Sequence, residues 1–396
     1  MTYLREALTA RVGEFIQLRR DIHRHPELAF EEHRTSELVA SKLESWGYQV
    51  HRGLGGTGVV GTLKRGTSTR SVGLRADMDA LPIQEASGVE WASTKPGLMH
   101  GCGHDGHTAM LLAAAHELSL NGDFDGVLHL IFQPAEEGGG GALRMMQDGL
   151  FDLFPCDAIF AMHNMPGVPV GQFVFRSGSA MASSDYVTIR VNGTGGHGGM
   201  PHRAADSLVA AASIVMALQT VVSRNVDPLH TAVVTVGSIQ AGKANNVIPA
   251  LATLELSVRA LDPGVRKLLK QRIKAIAISQ AESFGCKAEV DWKEGYCVLV
   301  NSEKETHFAR QVALDLVGAE RVVLNGPPLT ASEDFAFMLE KVPGSYLLIG
   351  NGDGDSVGAC MVHNPGYDFN DDNIATGSDY WIHLVKSFFN PKSSHT

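Results

Sequence analysis

Residue types that bind metal ions are unevenly spread along this chain of 396 residues. Asp77 and Asp79 follow the apolar run VGLRA. The segment His100-Gly101-Cys102-Gly103-His104-Asp105-Gly106-His107 precedes a helix-like run. Glu136-Glu137 follow VLHLIF, His163-Asn164 follow AIFAM, and His363-Asn364 fall in a late loop. A lone Asp after a strand is usually a turn or N-cap residue, and a lone Cys is usually a small buried hydrophobe. GCGHDGH differs from both, because it sets three strong ligand types among glycines. Without side chains there, the backbone can close tightly around an ion. Cys102, His104, Glu137, His163 and His363 offer a set of donors. A zinc site that keeps an open position takes about three protein ligands, so this set, with one member shared, supplies two ions. Two ions about 3.5–4 Å apart can acidify a water between them and polarise the carbonyl it attacks. One carboxylate must stay free to take the water's proton. Adjacent Glu136-Glu137 provides that division, one ligand and one general base.

These groups need elements to place them. Apolar runs at 71–75, 127–132, 158–162 and 345–349 read as strands, and 108–120 and 142–150 read as helices. Leu4, Leu8, Val12, Phe15, Leu18 and Ile22 recur at helical spacing, and a second helix over 34–46 ends at Gly47, a C-cap residue. Alternating strands and helices predict an α/β fold, a mixed sheet with helices on both faces. In such a sheet, ligands bind beyond the carboxyl ends of the strands, where several of the groups above lie. The pattern changes near residue 185. A strictly alternating strand at 186–191 leads to an alanine-rich helix at 204–222, strands at 232–239 and 253–259, a helix at 263–284 and a strand at 288–292. The order β-α-β-β-α-β is a ferredoxin-like unit. It predicts a second domain, 185–297, inserted into a first made of 1–184 and 298–396.

Lys and Arg number 33 against 43 Asp and Glu, a net charge of −10, which argues against a nucleic-acid partner. Five cysteines are too few for a disulfide framework and fit a reducing cytoplasm. The start has no apolar signal region. No run approaches the roughly 18 apolar residues a membrane span needs, so no membrane partner is expected. A competing reading is a nucleotide-binding enzyme, since Gly193–Gly198 matches G-x-G-x-x-G after a strand. There the helix begins too late to offer its N-terminus to a pyrophosphate, and the next strand ends without an acid for a ribose. A non-catalytic metal-binding protein would be expected to lack the base or a ligand, and none is missing here.

With these motifs read, the chain resembles the aminoacylase and hippurate-hydrolase group of co-catalytic di-metal metallopeptidases. RRDIHRHPELAFEE, LRADMDALP, MHGCGHDGHTAMLL, FQPAEEGGGGA, AMHN, GGHGGMPH, NNVIPA and MVHNPGYDFND carry the likeness, in order, over nearly the whole length. The resemblance implies that Cys102 bridges two divalent ions, with Glu137 and His363 on one and His104 and His163 on the other. It makes Glu136 the general base and acid. Many relatives place Asp at the bridge and take a His ligand from the segment matching ADMDA. Here that place holds Asp77, which is therefore not expected to be a ligand, and Asp79 would orient a ligand from behind. The inserted domain corresponds to a lid and dimerisation domain. In it His197 matches an oxyanion-stabilising residue reaching the partner subunit's site, and Asn246 and Arg259 match positions that hold the substrate's free carboxylate. Alternation puts Arg259 on the polar face of its strand with Thr253, Glu255 and Ser257. The implied activity is hydrolysis of an N-acyl amino acid, hippurate or N-acetyl type, or of a short peptide at its C-terminal residue. The implied metal is zinc, manganese, cobalt or nickel, and a thiolate favours softer ions such as zinc.

Overall fold

Two sheets organise the chain. The computed structural model describes residues 2–390, with side chains from residue 11 onward, so Leu4 and Leu8 of the first expected helix lie outside the described side chains. That helix, α1, spans Thr2–Arg24, and α2 spans His33–Ser45, with Gly47 at a positive φ just beyond it. The larger sheet has eight strands. It begins with β1 (Gln49–Leu54), β2 (Gly58–Arg65), β3 (Ser71–Asp77), β4 (Gly126–Gln133) and β5 (Ala158–Pro166). Their order across the sheet is β1-β2-β4-β3-β5, followed by Gly344–Gly352, Phe173–Val174 and Val322–Val323. β3 runs parallel to both β4 and β5, while β1, β2 and β4 pair antiparallel, so the sheet is mixed. β3 is buried at every position, as expected of a parallel strand covered on both sides.

The helix α3 (His104–Asn121) is buried nearly all round. Its run of small residues, Ala113 to Ala115, lets it pack between α1, β3 and the Asp372–Phe389 helix. Two expected helices are corrected. α3 begins at His104 rather than 108, because Gly103 takes a left-handed conformation (φ 91°) and turns the chain into the helix there. The helix expected over 142–150 stops at Gln147, and a short turn, Leu150–Leu153, follows a left-handed Gly149.

By compactness the chain divides into two units, Met1–Gly178 with Asn301–Pro327 and Phe337–Thr396, and Ser179–Val300 with Pro328–Ala336. The second unit takes in 328–336, which the expected boundaries leave with the first. Its sheet orders Ala232–Ala241, Leu251–Ala260, Ser183–Asn192 and Lys287–Glu294, all neighbours antiparallel. Helices Ser207–Asn225 and Pro263–Ser283 pack on it, each capped by an aspartate, Asp206 and Asp262, that accepts backbone N–H groups. This is the βαββαβ arrangement. Contrary to the expectation from sequence, the Ser207–Asn225 helix is long and apolar enough to cross a membrane by composition. It instead packs Ala210, Ala211, Ile214, Leu218 and Val221 into the unit's core. Leu208, Val209 and Met216 of the same helix are exposed.

Candidate metal centre

The first unit brings one set of chemistry-bearing residues to the carboxyl ends of β3, β4 and β5. Asp77 ends β3, and Asp79 follows two residues on. Cys102 lies in the loop entering α3, and His104 is the first residue of that helix. Glu136 and Glu137 sit in the turn after β4. His163 lies within β5, which runs three residues past it, so His163 and Asn164 are strand residues rather than residues after a strand. His363 lies in a turn at φ 64°, and its N–H donates to the Gly101 carbonyl at 2.7 Å, joining its loop to that of Cys102.

The donors fall into two overlapping sets. Atoms of Cys102, His104 and His163 lie within 4.8 Å of one another, and so do those of Cys102, Glu137 and His363. Cys102 belongs to both. Glu136 forms a further such group with His104 and Glu137. The hydrogen bonds say which nitrogens are free to bind. His104 Nδ1 lies 2.9 Å from the Asp79 carbonyl oxygen and 3.1 Å from its carboxylate. Both are acceptors, so Nδ1 carries the hydrogen. Nε2 is then the atom left for a ligand, buried and without a hydrogen-bond partner, 3.7 Å from the Asp77 carboxylate. His163 repeats the pattern, with Nδ1 2.6 Å from the Asn164 carbonyl and Nε2 3.3 Å from Cys102 Sγ. A buried, unpartnered imidazole nitrogen among a thiol and carboxylates fits a divalent cation, which would take the place of the proton those carboxylates favour. Asp79 also accepts the Glu137 N–H at 2.8 Å, so one carboxylate fixes two candidate ligands.

His107 belongs to another task. Its Nδ1 donates to Asp77 at 2.7 Å and its Nε2 accepts the Asn164 N–H at 3.0 Å, which uses both nitrogens. Asp77 is further occupied by Arg75 at 2.7 Å. Asn164 donates to the Cys102 carbonyl at 2.6 Å and accepts from the Tyr367 hydroxyl at 2.7 Å. These bonds tie the Cys102 loop to the strand bearing His163. A side chain at Gly103 would collide with the Asn164 amide and the Tyr367 hydroxyl.

Electrostatics follow from crowding carboxylates around buried bases. Burial opposes charge on His104, but Asp77, Asp79 and Glu137 together lift it to about 10. Burial, then Glu137, Glu136 and Asp77, push the Cys102 thiol well up. Burial and the neighbouring His107 hold His163 well down. Burial raises Glu137, but His363 at 3.1 Å and His104 bring it below the usual carboxylate value. Such a site holds surplus negative potential that only cations offset.

Sequence reasoning missed the braces behind this centre. Arg19 and His23 are fully buried, and both contact the Asp105 carboxylate, at 2.8 Å each. Asp105 directly follows His104. The available signal was spacing: Arg19 and His23, four apart, share the inward stripe of α1 with Phe15 and Ile22.

In the second unit, His197 and Asn246 come together. Gly196–His197 pairs with Val247–Ile248, and the Gly198 N–H donates to the Asn246 carbonyl at 2.7 Å. Both residues are exposed. Arg259 is half-buried and donates to the Thr330 carbonyl at 3.1 Å. It lies near the far end of Leu251–Ala260, whose other end adjoins the Val247–Ile248 pairing. Eight residues of strand separate Leu251 from Arg259, on the order of 25 Å. One carboxylate therefore cannot touch Asn246 and Arg259 of the same chain.

Residues 73–387 match peptidase family M20/M25/M40. The chain is 44% identical to a hippurate hydrolase of Campylobacter jejuni, over 95% of this chain and 97% of that one. It is 39% identical to an N-acetyl-L-cysteine deacetylase of Bacillus subtilis, over 94% and 88% respectively. Among solved structures, it is similar to a dinuclear metal-binding peptidase of the M20 family from Bacillus subtilis. The TM-score is 0.84 and the identity 30%, covering 97% of this chain and 100% of that one.

Proposed function

The chain belongs to peptidase family M20/M25/M40, and from that premise we propose that it is a two-metal amidohydrolase cleaving N-acyl amino acids. The products are a carboxylic acid and a free amino acid. The observation that carries this reading is the pair of three-donor sets sharing Cys102, with Glu136 beside both His104 and Glu137. When bound, two divalent ions would acidify a water and polarise the scissile carbonyl. Cys102 would be shared between the two, with His104 and His163 holding one ion and Glu137 and His363 the other. Asp79 holds the His104 ring with Nε2 outward. Glu136 takes the water's proton and hands it to the leaving amine, and His197 donates to the developing oxyanion.

Asn246 and Arg259 hold the substrate's carboxylate, and their wide separation within one chain supports a homodimer, with His197 and Asn246 supplied by the partner chain. Exposed Leu208, Val209 and Met216 support an interface between copies. The sulfur donor favours zinc, with manganese, cobalt and nickel as the other candidates. Cysteine is sparse, five in the whole chain, which supports a cytoplasmic location.

A substrate panel tests the reading. Hippurate, N-acetyl amino acids and dipeptides are assayed with metal, after chelation, and after metal is restored. Metal-dependent release of amino acid from the acyl substrates supports the proposal. Cleavage of dipeptides alone would favour the peptidase reading, and full activity in metal-free protein would exclude both.

A further inference from the structure

Among the described residues, three other than glycine have a positive φ: Phe30 (64°), Ala135 (53°) and His363 (64°). That conformation is costly for any residue with a Cβ and is an outlier for a bulky one. It persists only where surrounding structure enforces it, and such places cluster at functional sites. One side chain joins two of the three. The Glu32 carboxylate accepts the Phe30 N–H at 3.0 Å and the Ala135 N–H at 2.9 Å on the same oxygen, while its other oxygen accepts the Thr57 hydroxyl. Glu32 is fully buried. A buried carboxylate is expensive unless its acceptors are used, and here both oxygens are engaged by donors drawn from three separate stretches of chain.

Ala135 directly precedes Glu136. The turn that follows is closed by two further bonds, Gly138 N–H to the Glu136 carbonyl at 2.7 Å and Gly141 N–H to the Ala135 carbonyl at 3.0 Å. It is also tight, because a Cβ on Gly139 would come within 2.7 Å of the Ala135 Cβ and 3.2 Å of the Phe30 ring. The direction in which Glu136 leaves this turn therefore depends on Ala135 staying left-handed. Among the described residues, the Ala135 N–H donates to Glu32 and to nothing in the turn itself. The segment RRDIHRHPELAFEE, which the metal centre leaves without a direct part, thus reaches the turn that carries both glutamates.

We propose that Glu32 is a positioning residue for proton transfer, locking Ala135 in the left-handed turn that aims Glu136. The proposal rests on Glu136 being the proton carrier, as assigned above. Glu32→Met fills the same space but offers no oxygen to either N–H. Glu32→Gln keeps one oxygen for both, and its amide can donate to the Thr57 hydroxyl. Ala135→Gly removes the need for a lock, since glycine adopts a positive φ freely.

The experiment measures kcat, KM, metal content and Tm of these variants on one N-acyl amino acid. Glu32→Met is expected to lower kcat roughly 10- to 100-fold, the scale of a misplaced catalytic group, with both ions retained and KM within about twofold. Glu32→Gln restores most of the loss. Adding Ala135→Gly to Glu32→Met also restores part of it, which a general loss of stability would not allow. Should Glu32→Met not fold, Glu32→Asp replaces it: the charge stays but its oxygens fall one methylene short of Ala135, and the same loss and relief are expected. Wild-type kcat in the folded Glu32 variant, beside an inactive Glu136→Gln, overturns the proposal. So does a loss that tracks metal content or Tm and that Ala135→Gly does not relieve. An active Glu136→Gln would instead overturn the assignment of the proton carrier.

Discussion

The donors of the first unit and the residues His197, Asn246 and Arg259 of the second differ in how firmly the fold holds them. Cys102, His104 and Glu136 of the first are buried, His163 and Glu137 half-buried and His363 exposed, and His104, His163 and Glu137 each have a second atom held by a carbonyl or carboxylate. The second are exposed or half-buried, and His197 and Asn246 are framed mainly by backbone pairing. A metal site must be assembled before its ion arrives, since a misplaced ligand loses affinity steeply. Groups that meet a substrate must stay reachable until it binds. On the proposed roles, chemistry would be set within one unit's own hydrogen bonds, and recognition would be left open at a surface.

If that contrast holds, damage to the first set should be far more severe. Glu136→Gln should keep both ions and lose at least the roughly 10²–10⁴-fold that positioned acid–base catalysis supplies. Glu137→Gln and Cys102→Ser should lose metal itself, read by metal analysis after gel filtration. Retention of both ions in those two variants would break the division of roles. The second set is probed by complementation. His197→Ala and Glu136→Gln, each inactive alone, should regain activity on mixing if chains exchange, because a mixed dimer can hold one intact site. A fully active monomer at assay concentration would refute this. Arg259→Met should cost roughly 10- to 150-fold in kcat/KM, the range of a charged hydrogen bond. It should also narrow the preference for a free acid over its C-terminal amide. Unchanged discrimination would leave Arg259 a mere strand-end residue.

Acid gives the smallest and most general comparison. Burial lowers the His129 imidazole to about 4, and its ring is hydrogen-bonded to the Thr62 hydroxyl at 2.9 Å and to a backbone group at Pro155. Between its ordinary value near 6.5 and about 4, the unfolded chain binds the proton and the folded chain does not. Stability of the first unit therefore falls as pH drops through that window, by at most about 3 kcal/mol from this residue. The histidines of the second unit, His197, His202 and His230, are exposed. Amide exchange on metal-free protein at neutral and mildly acidic pH should show protection falling first in the first unit, and less so in His129→Gln.

Cys102, His104, Glu136 and Glu137 were legible in the sequence because they lie in short glycine-rich segments beside strand ends, where residue type and position coincide; His163, inside β5, and His363, in a late turn, were read from residue type alone. The βαββαβ order was legible for a similar reason: Val187, Ile189 and Val191 alternate cleanly on a sheet with one covered face. Other features left no local trace. The edge strand β1 is mostly exposed, so it lacks an apolar pattern. α3 starts four residues earlier than apolar periodicity suggests, since its first turn is HDGH and its entry depends on a glycine's backbone angle. Glu32 and Ala135 lie 103 residues apart, and their bond exists only after folding.

The carboxylates crowded around Cys102 have a consequence for the durability of the metal-free chain. Thiolates, not thiols, react with alkylating agents and peroxide. With burial and Glu137, Glu136 and Asp77 all raising its thiol, Cys102 stays protonated at neutral pH when no cation is near. The sulfur on which the proposed bridge depends is thus least reactive when it is unguarded. A chain stripped by chelator should tolerate mild oxidant and recover on reloading, so that loss of metal is a pause rather than an injury.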